Sequence, residues 1–198
     1  MVMGIIPTRG GFQRPFGTAV FIKDFLGGRG NTYGVAVIDT EQGATQTDIL
    51  AAYKMALHRA LAEDRVAQEV EGRIRSGEPP LTSEEEDERL QHWLSCYPLA
   101  RCRMHYQSFL VYFGFMKRLG WVEPTGRVEE SLIQERMAIS APETPRETGQ
   151  PRIYYRLTAS GSRAASEQLK NPLMALYPQF DHAYFAERRA QRRYVRCV

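Results

Sequence analysis

The apolar positions of the chain fall into helix-like and strand-like runs separated by sharp breakers. Phe16, Val20, Phe21 and Phe25, joined by Ile22 and Leu26, repeat every three to four residues and end at Gly27-Gly28. Pro15 suits a first turn and the glycine pair suits a stop, so they predict a short helix over 15–26. The run YGVAVI at 33–38 is rich in β-branched residues, lies between Asn31 and Asp39, and predicts a short strand. Thr45 or Thr47 can cap a second helix. In it Ile49, Leu50, Tyr53, Leu57 and Leu61 share a face, and Val66, Val70 and Ile74 continue the spacing to residue 75.

The stretch SGEPP at 76–80 ends that helix, because two prolines cannot continue it and bias the preceding residue to extended backbone. Leu81-Thr82-Ser83, followed by the acidic run 84–88, predicts a new helix start, with carboxylates at the positive end of the helix dipole and an end before Pro98. From Arg103 the apolar residues Tyr106, Phe109, Leu110, Phe113 and Met116 recur at helical spacing until Gly120 stops the helix. Trp121-Val122-Glu123 then predicts a strand. A second strand is expected over 153–158, with Ile153, Tyr155 and Leu157 on one face, and a closing helix near Ser160.

The phrases MKRLGWVE at 116–123 and GQPRIYYRLTASGSRAA at 149–165 carry a resemblance. They are similar to the end of the recognition helix and the second wing strand of PadR-like and MarR-like winged helix-turn-helix regulators. In those families a helix ends in Leu-Gly and two hydrophobic residues, and the wing returns as Y-x-L-T-x-x-G, matched here by Tyr155, Leu157, Thr158 and Gly161. The fold this implies is mainly α with a small β-wing: a winged helix-turn-helix over 16–170, with an acidic helical insertion at 61–100. An N-terminal arm at 1–15 and a basic C-terminal helical extension at 171–198 complete the expected organisation.

Composition supports one main domain. In 198 residues, 43% hydrophobic and 11% aromatic content suffices for a sizeable core. No run reaches the roughly 18 apolar residues of a membrane span, and the opening MVMGIIPTRGG lacks a signal peptide's pattern, so a cytoplasmic protein without a membrane partner is expected. Cys96, Cys102 and Cys197 are too few for a disulfide framework.

Charge changes the picture more by place than by sum. Residues 101–127 hold five Lys/Arg against Glu123, a net +4, and residues 151–170 hold four against Glu167, a net +3. Residues 61–100 carry ten acidic and four basic side chains, a net −6. Positive charge gathered in two segments that the expected fold brings together suits a polyanion.

The resemblance implies that the helix over 103–119 enters the major groove and that the wing follows the backbone. Away from the apolar stripe this helix carries Met104, Gln107, Ser108, Val111, Phe115 and Arg118. Gln107 suits adenine and Ser108 a base edge or phosphate, while Arg101, Arg103, Arg118, Arg152 and Arg156 supply phosphate contacts. The plainer reading of Arg101, Arg103 and Arg118 is a solvated face. Val111 and Phe115 fit a protein partner better than a groove. Two functions follow: a double-stranded-DNA-binding transcriptional regulator acting as a homodimer, or a winged-helix interaction module in a larger nucleoprotein or phage-like assembly. Candidate dimer elements are residues 47–75 and 178–194.

Three further features remain. Residues 184–198 hold Arg188, Arg189, Arg192, Arg193 and Arg196 against Glu187, and on a helix these pairs recur four apart. Such a stripe suits phosphates, RNA or an acidic surface; a solubilising tail docked through Tyr184, Phe185 and Tyr194 accounts for it equally. His92, Cys96, Cys102 and His105 lie within fourteen residues and make tetrahedral zinc geometrically possible, but without a CxxC knuckle packed side chains explain them better. No GxxxxGK[ST], GxSxG or HExxH motif is present, so neither catalysis nor a cofactor is expected.

Overall fold

A computed structural model describes residues 15–97, 106–129 and 151–179, together with residues 183, 184, 186 and 187. The described part is mostly helical, with one small antiparallel sheet. In chain order it holds α1 (Thr18–Leu26), a 3-10 turn (Gly30–Tyr33), β1 (Ala44–Thr45), α2 (Gln46–Ser76), α3 (Ser83–Cys96) and α4 (Tyr106–Arg118). There follow β2 (Val122–Glu129), β3 (Arg152–Leu157) and three short helices, α5 (Ala159–Arg163), α6 (Ser166–Lys170) and α7 (Pro172–Leu176).

Caps explain where the two long helices begin. Thr45 accepts from the Asp48 amide at 3.2 Å while Asp48 accepts from the Thr45 amide at 3.3 Å, a reciprocal box that satisfies two orphan donors of α2. Gly77, at φ +78, closes the helix. Thr82 and Glu85 repeat the box at α3, the Thr82 amide donating to Glu85 at 2.8 Å. That bond, and then the one from the Thr82 hydroxyl, holds the Glu85 carboxyl below its usual pKa.

The core is aromatic and lies where α1, α2 and α4 meet the sheet. Phe21, Tyr53, Phe109 and Phe113 are fully buried. Phe16, Phe21, Tyr33 and Tyr53 form a ring cluster with centroids 4.7–5.9 Å apart, and Phe113 meets Tyr155 edge-on at 4.9 Å. Buried hydroxyls are satisfied, since Thr18 donates to Tyr53, which donates to the Phe16 carbonyl. Tyr33 donates to Asp24 at 2.6 Å; burial, reinforced by that bond, pushes its phenol well above the ordinary value.

The sheet runs in the order β1-β3-β2. Ala44 pairs with Tyr155, Val122 with Leu157 and Glu129 with Arg152. Between Pro124 and Val128 the register shifts, with Gly126 at φ +85 absorbing the extra chain. Gly43 is demanded twice over: its φ is +71, and a Cβ there would lie 2.2 Å from the Tyr155 carbonyl oxygen.

Two expectations are corrected. Residues 33–38 form no strand: after the 3-10 turn, Gly34 at φ +67 turns the chain, the Val35 amide bonds back to Gly30, and Val37 is exposed. The β-branched run has no neighbouring strand to pair with; β3 is met by Ala44 and Thr45. The single closing helix is three short ones, because the α5 helix ends at Ala164 in extended backbone and Asn171 breaks again before Pro172. Ile153, Tyr155 and Leu157 alternate onto one face of β3 as expected, and of the three Tyr155 is buried while Ile153 is 40% exposed where β3 leaves the core.

Candidate nucleic-acid interface

Helix α4 is fixed from below. Phe109, Phe113 and Met116 point into the core with no exposure, burial worth about 1.5–3 kcal/mol each. The opposite side therefore faces outward by periodicity. Gln107, Ser108, Val111 and Arg118 are exposed, and Phe115 is half-buried. No acidic residue occurs in α4, and Lys117 and Arg118 sit in its last turn, where they complement the helix dipole. Arg118 donates to the Tyr177 hydroxyl at 3.5 Å, leaning its guanidinium over α7.

The helix hands over to the sheet through a compact turn. The Trp121 amide bonds to the Met116 carbonyl at 2.9 Å, and Gly120 takes φ +67. The Thr158 hydroxyl donates to the Gly120 carbonyl at 2.6 Å and caps α5 by accepting from the Gly161 amide at 3.0 Å. A Cβ on Gly161 would fall 2.1 Å from the Trp121 carbonyl oxygen, so the backbone approaches here as only glycine allows. Thr158 and Gly161 thus lock the return of β3 to the end of α4.

The strand arginines differ from one another. Arg156 reaches Glu123 at 3.0 Å and Glu41 at 3.3 Å, so its charge is shared between two carboxylates of the fold. It lines an open cleft of about 490 Å³ with Leu26, Glu41, Glu123, Thr158 and Ser162. Arg152 lies at the start of β3, half-buried, opposite Glu129. Sequence reasoning missed Arg127 and Lys117. Arg127 stacks over the Tyr154 ring at 4.1 Å and donates to Gln42 at 3.0 Å; Lys117 sits 5.6 Å from the Tyr155 ring. The signal for Lys117 was its place one residue before Arg118, whereas Arg127 was hidden behind Pro124 and Gly126, which read as the end of a strand.

Arg101, Arg103, Met104, Cys102 and His105 lie outside the described residues. His92 and Cys96 share an exposed face of α3, with the thiol 3.5 Å from Nε2. Among the described residues no three His, Cys, Asp or Glu side chains cluster to hold a metal ion. Tyr154 donates to Glu129 at 2.8 Å, which raises its phenol pKa; burial does the same at Tyr155. Among the described residues no helix is long and apolar enough to cross a membrane. No family model matches the chain, and no curated protein or solved structure matches it.

Proposed function

We propose that the chain is a winged-helix DNA-binding protein, a dimeric transcriptional regulator in which α4 lies in the major groove and the β2–β3 hairpin follows the adjacent phosphates. The observation that carries the reading is the outward stripe of α4: Gln107, Ser108 and Arg118 exposed on an acid-free helix whose other face is fully buried. The order helix, short strand, helices, hairpin, with β3 between β1 and β2, supports it. A helix held by three buried side chains presents its backbone already ordered, so that only the exposed side chains have to be fixed on binding, which favours recognition. Gln107 serves an adenine edge, Ser108 a base or phosphate, and Arg118 and Arg152 the backbone; the sequence adds Arg101 and Arg103.

The test is a fluorescence-anisotropy titration with random-sequence duplex DNA across a salt series. The chain should bind with an affinity that falls steeply with salt, and Arg118→Ala should reduce the log–log slope by about 1. Absence of binding at low salt would overturn the reading.

One observation favours a second reading, in which α4 meets a protein. Val111 is 52% exposed in the middle of the stripe, beside half-buried Phe115, an apolar pair of little use against phosphate. Val111→Ser, which removes the apolar surface without adding charge, separates the two: it should strongly weaken capture of a protein partner, whereas DNA binding should change little.

A further inference from the structure

Helices α2 and α3 form an antiparallel hairpin: Arg73 donates to the Pro79 carbonyl at its tip, Trp93 Nε1 to Glu69 at 2.6 Å midway, and His58 Nε2 to the Tyr97 carbonyl at 2.7 Å at its base. Val66 is the last buried residue of α2, and α3 buries none of its residues fully. Two helices share only one face, so a hairpin of this kind leaves apolar surface uncovered unless a third element lies on it. Here the uncovered surface is a groove of about 460 Å³. Its floor is Val66, Ala67, Val70 and Leu90, extended towards the tip by Ile74, which is 59% exposed.

The rim is acidic. Glu63 and Glu71 border the groove on α2, and each is matched by an arginine of its own helix, Arg59 and Arg75. Glu86 and Asp87 border it on α3 and have no ion pair among the described residues. An apolar floor with unmatched carboxylates along one wall selects a segment that is basic and carries a few apolar side chains.

The most arginine-rich segment of this kind in the chain is at its C-terminal end. Residues 188–198 hold five arginines and no acid, with Tyr194, Val195 and Val198 among them. We propose that this segment docks in the α2–α3 groove of its own chain, its arginines against Glu86 and Asp87 and its apolar residues on Val70, Ile74 and Leu90. The inference is independent of DNA binding, but it gives those arginines a second claimant beside any polyanion.

The experiment uses the full chain and a full-chain variant with Arg188, Arg189, Arg192, Arg193 and Arg196 changed to glutamine, compared by amide hydrogen exchange. Tethering supplies an effective concentration on the order of 1 mM. Against an intrinsic Kd on the order of 100 μM it should slow exchange in α3 about tenfold. The glutamine variant should lose that protection while the core amides of α1 and α4 keep theirs, and a peptide of residues 188–198 added to it should restore it. Glu86→Lys with Asp87→Lys in the otherwise native chain should lose it too, and the peptide should then fail to restore it. Equal α3 exchange in the native and glutamine chains would overturn the proposal. So would protection that appears only as protein concentration rises, since a second copy would then be the donor.

Discussion

The two halves of α2 are held by different physics. One face of residues 49–57 sits in the aromatic core, with Ile49, Tyr53 and Leu57 fully buried among Phe16, Phe21 and Tyr33. Beyond Val66 the same helix buries nothing completely, and its neighbour α3 is secured by a capping box, the Trp93–Glu69 bond and exposed ion pairs. The first half depends on apolar area removed from water, the second on local hydrogen bonds that water also competes for. The core should therefore open only with global unfolding, while the hairpin opens by itself at lower cost.

The largest effect that would break this comparison is expected in the core. Phe21→Ala removes a fully buried ring with four aromatic neighbours and should cost about 3–5 kcal/mol. Urea denaturation would read it as a fall in midpoint at constant slope. Gly161→Ala comes next: the Cβ meets backbone, not a flexible side chain, and must strain the bond from the Thr158 amide to the Trp121 carbonyl. About 1–3 kcal/mol of global destabilisation is expected, and an unchanged thermal midpoint would show that the turn relaxes freely.

Much of this was legible. Helices were read from apolar periodicity where one face is buried, as in α1, α2 and α4, because burial is what writes that period into a sequence. The Thr158 and Gly161 of the Y-x-L-T-x-x-G phrase have visible local roles, Thr158 as the cap of α5 and Gly161 where a Cβ would clash with backbone. What escaped has equally physical reasons. Strand β1 is two residues long and cannot alternate. The run at 33–38 looks like a strand, but strand formation needs a neighbour that only the fold supplies. Strand β2 continues past Pro124 and Gly126 because the register shift absorbs them. Arg156 was readable as a cation, but its carboxylate neighbours, from residues 33 and 115 positions away in sequence, were not.

Smaller effects sharpen the comparison on the hairpin side. Thr82→Ala removes the cap of α3 and should cost about 1 kcal/mol, seen as faster amide exchange confined to 83–96, with the core amides unmoved. If the core amides also exchanged faster, the hairpin and core would be one cooperative unit. The smallest effect is with pH. Because the folded Glu85 carboxyl titrates below its ordinary value, its contribution is present above the usual glutamate range and is lost as pH falls through the lowered folded value. An NMR titration should show the amides of Glu85 and Glu86 losing protection on acidification from that range, with Phe109 and Tyr53 unaffected.

The pairing of Glu129 with Arg152 has a consequence for what the chain can carry. The connection from β2 to β3 leaves and re-enters the fold at two points one strand spacing apart, about 4.8 Å. Closing a loop between such points costs only about 0.6 kcal/mol for each doubling of its length. The Glu129–Arg152 pair is thus a closure whose free energy depends only weakly on how many residues join its two ends, so the sheet itself sets little limit on the length of that connection.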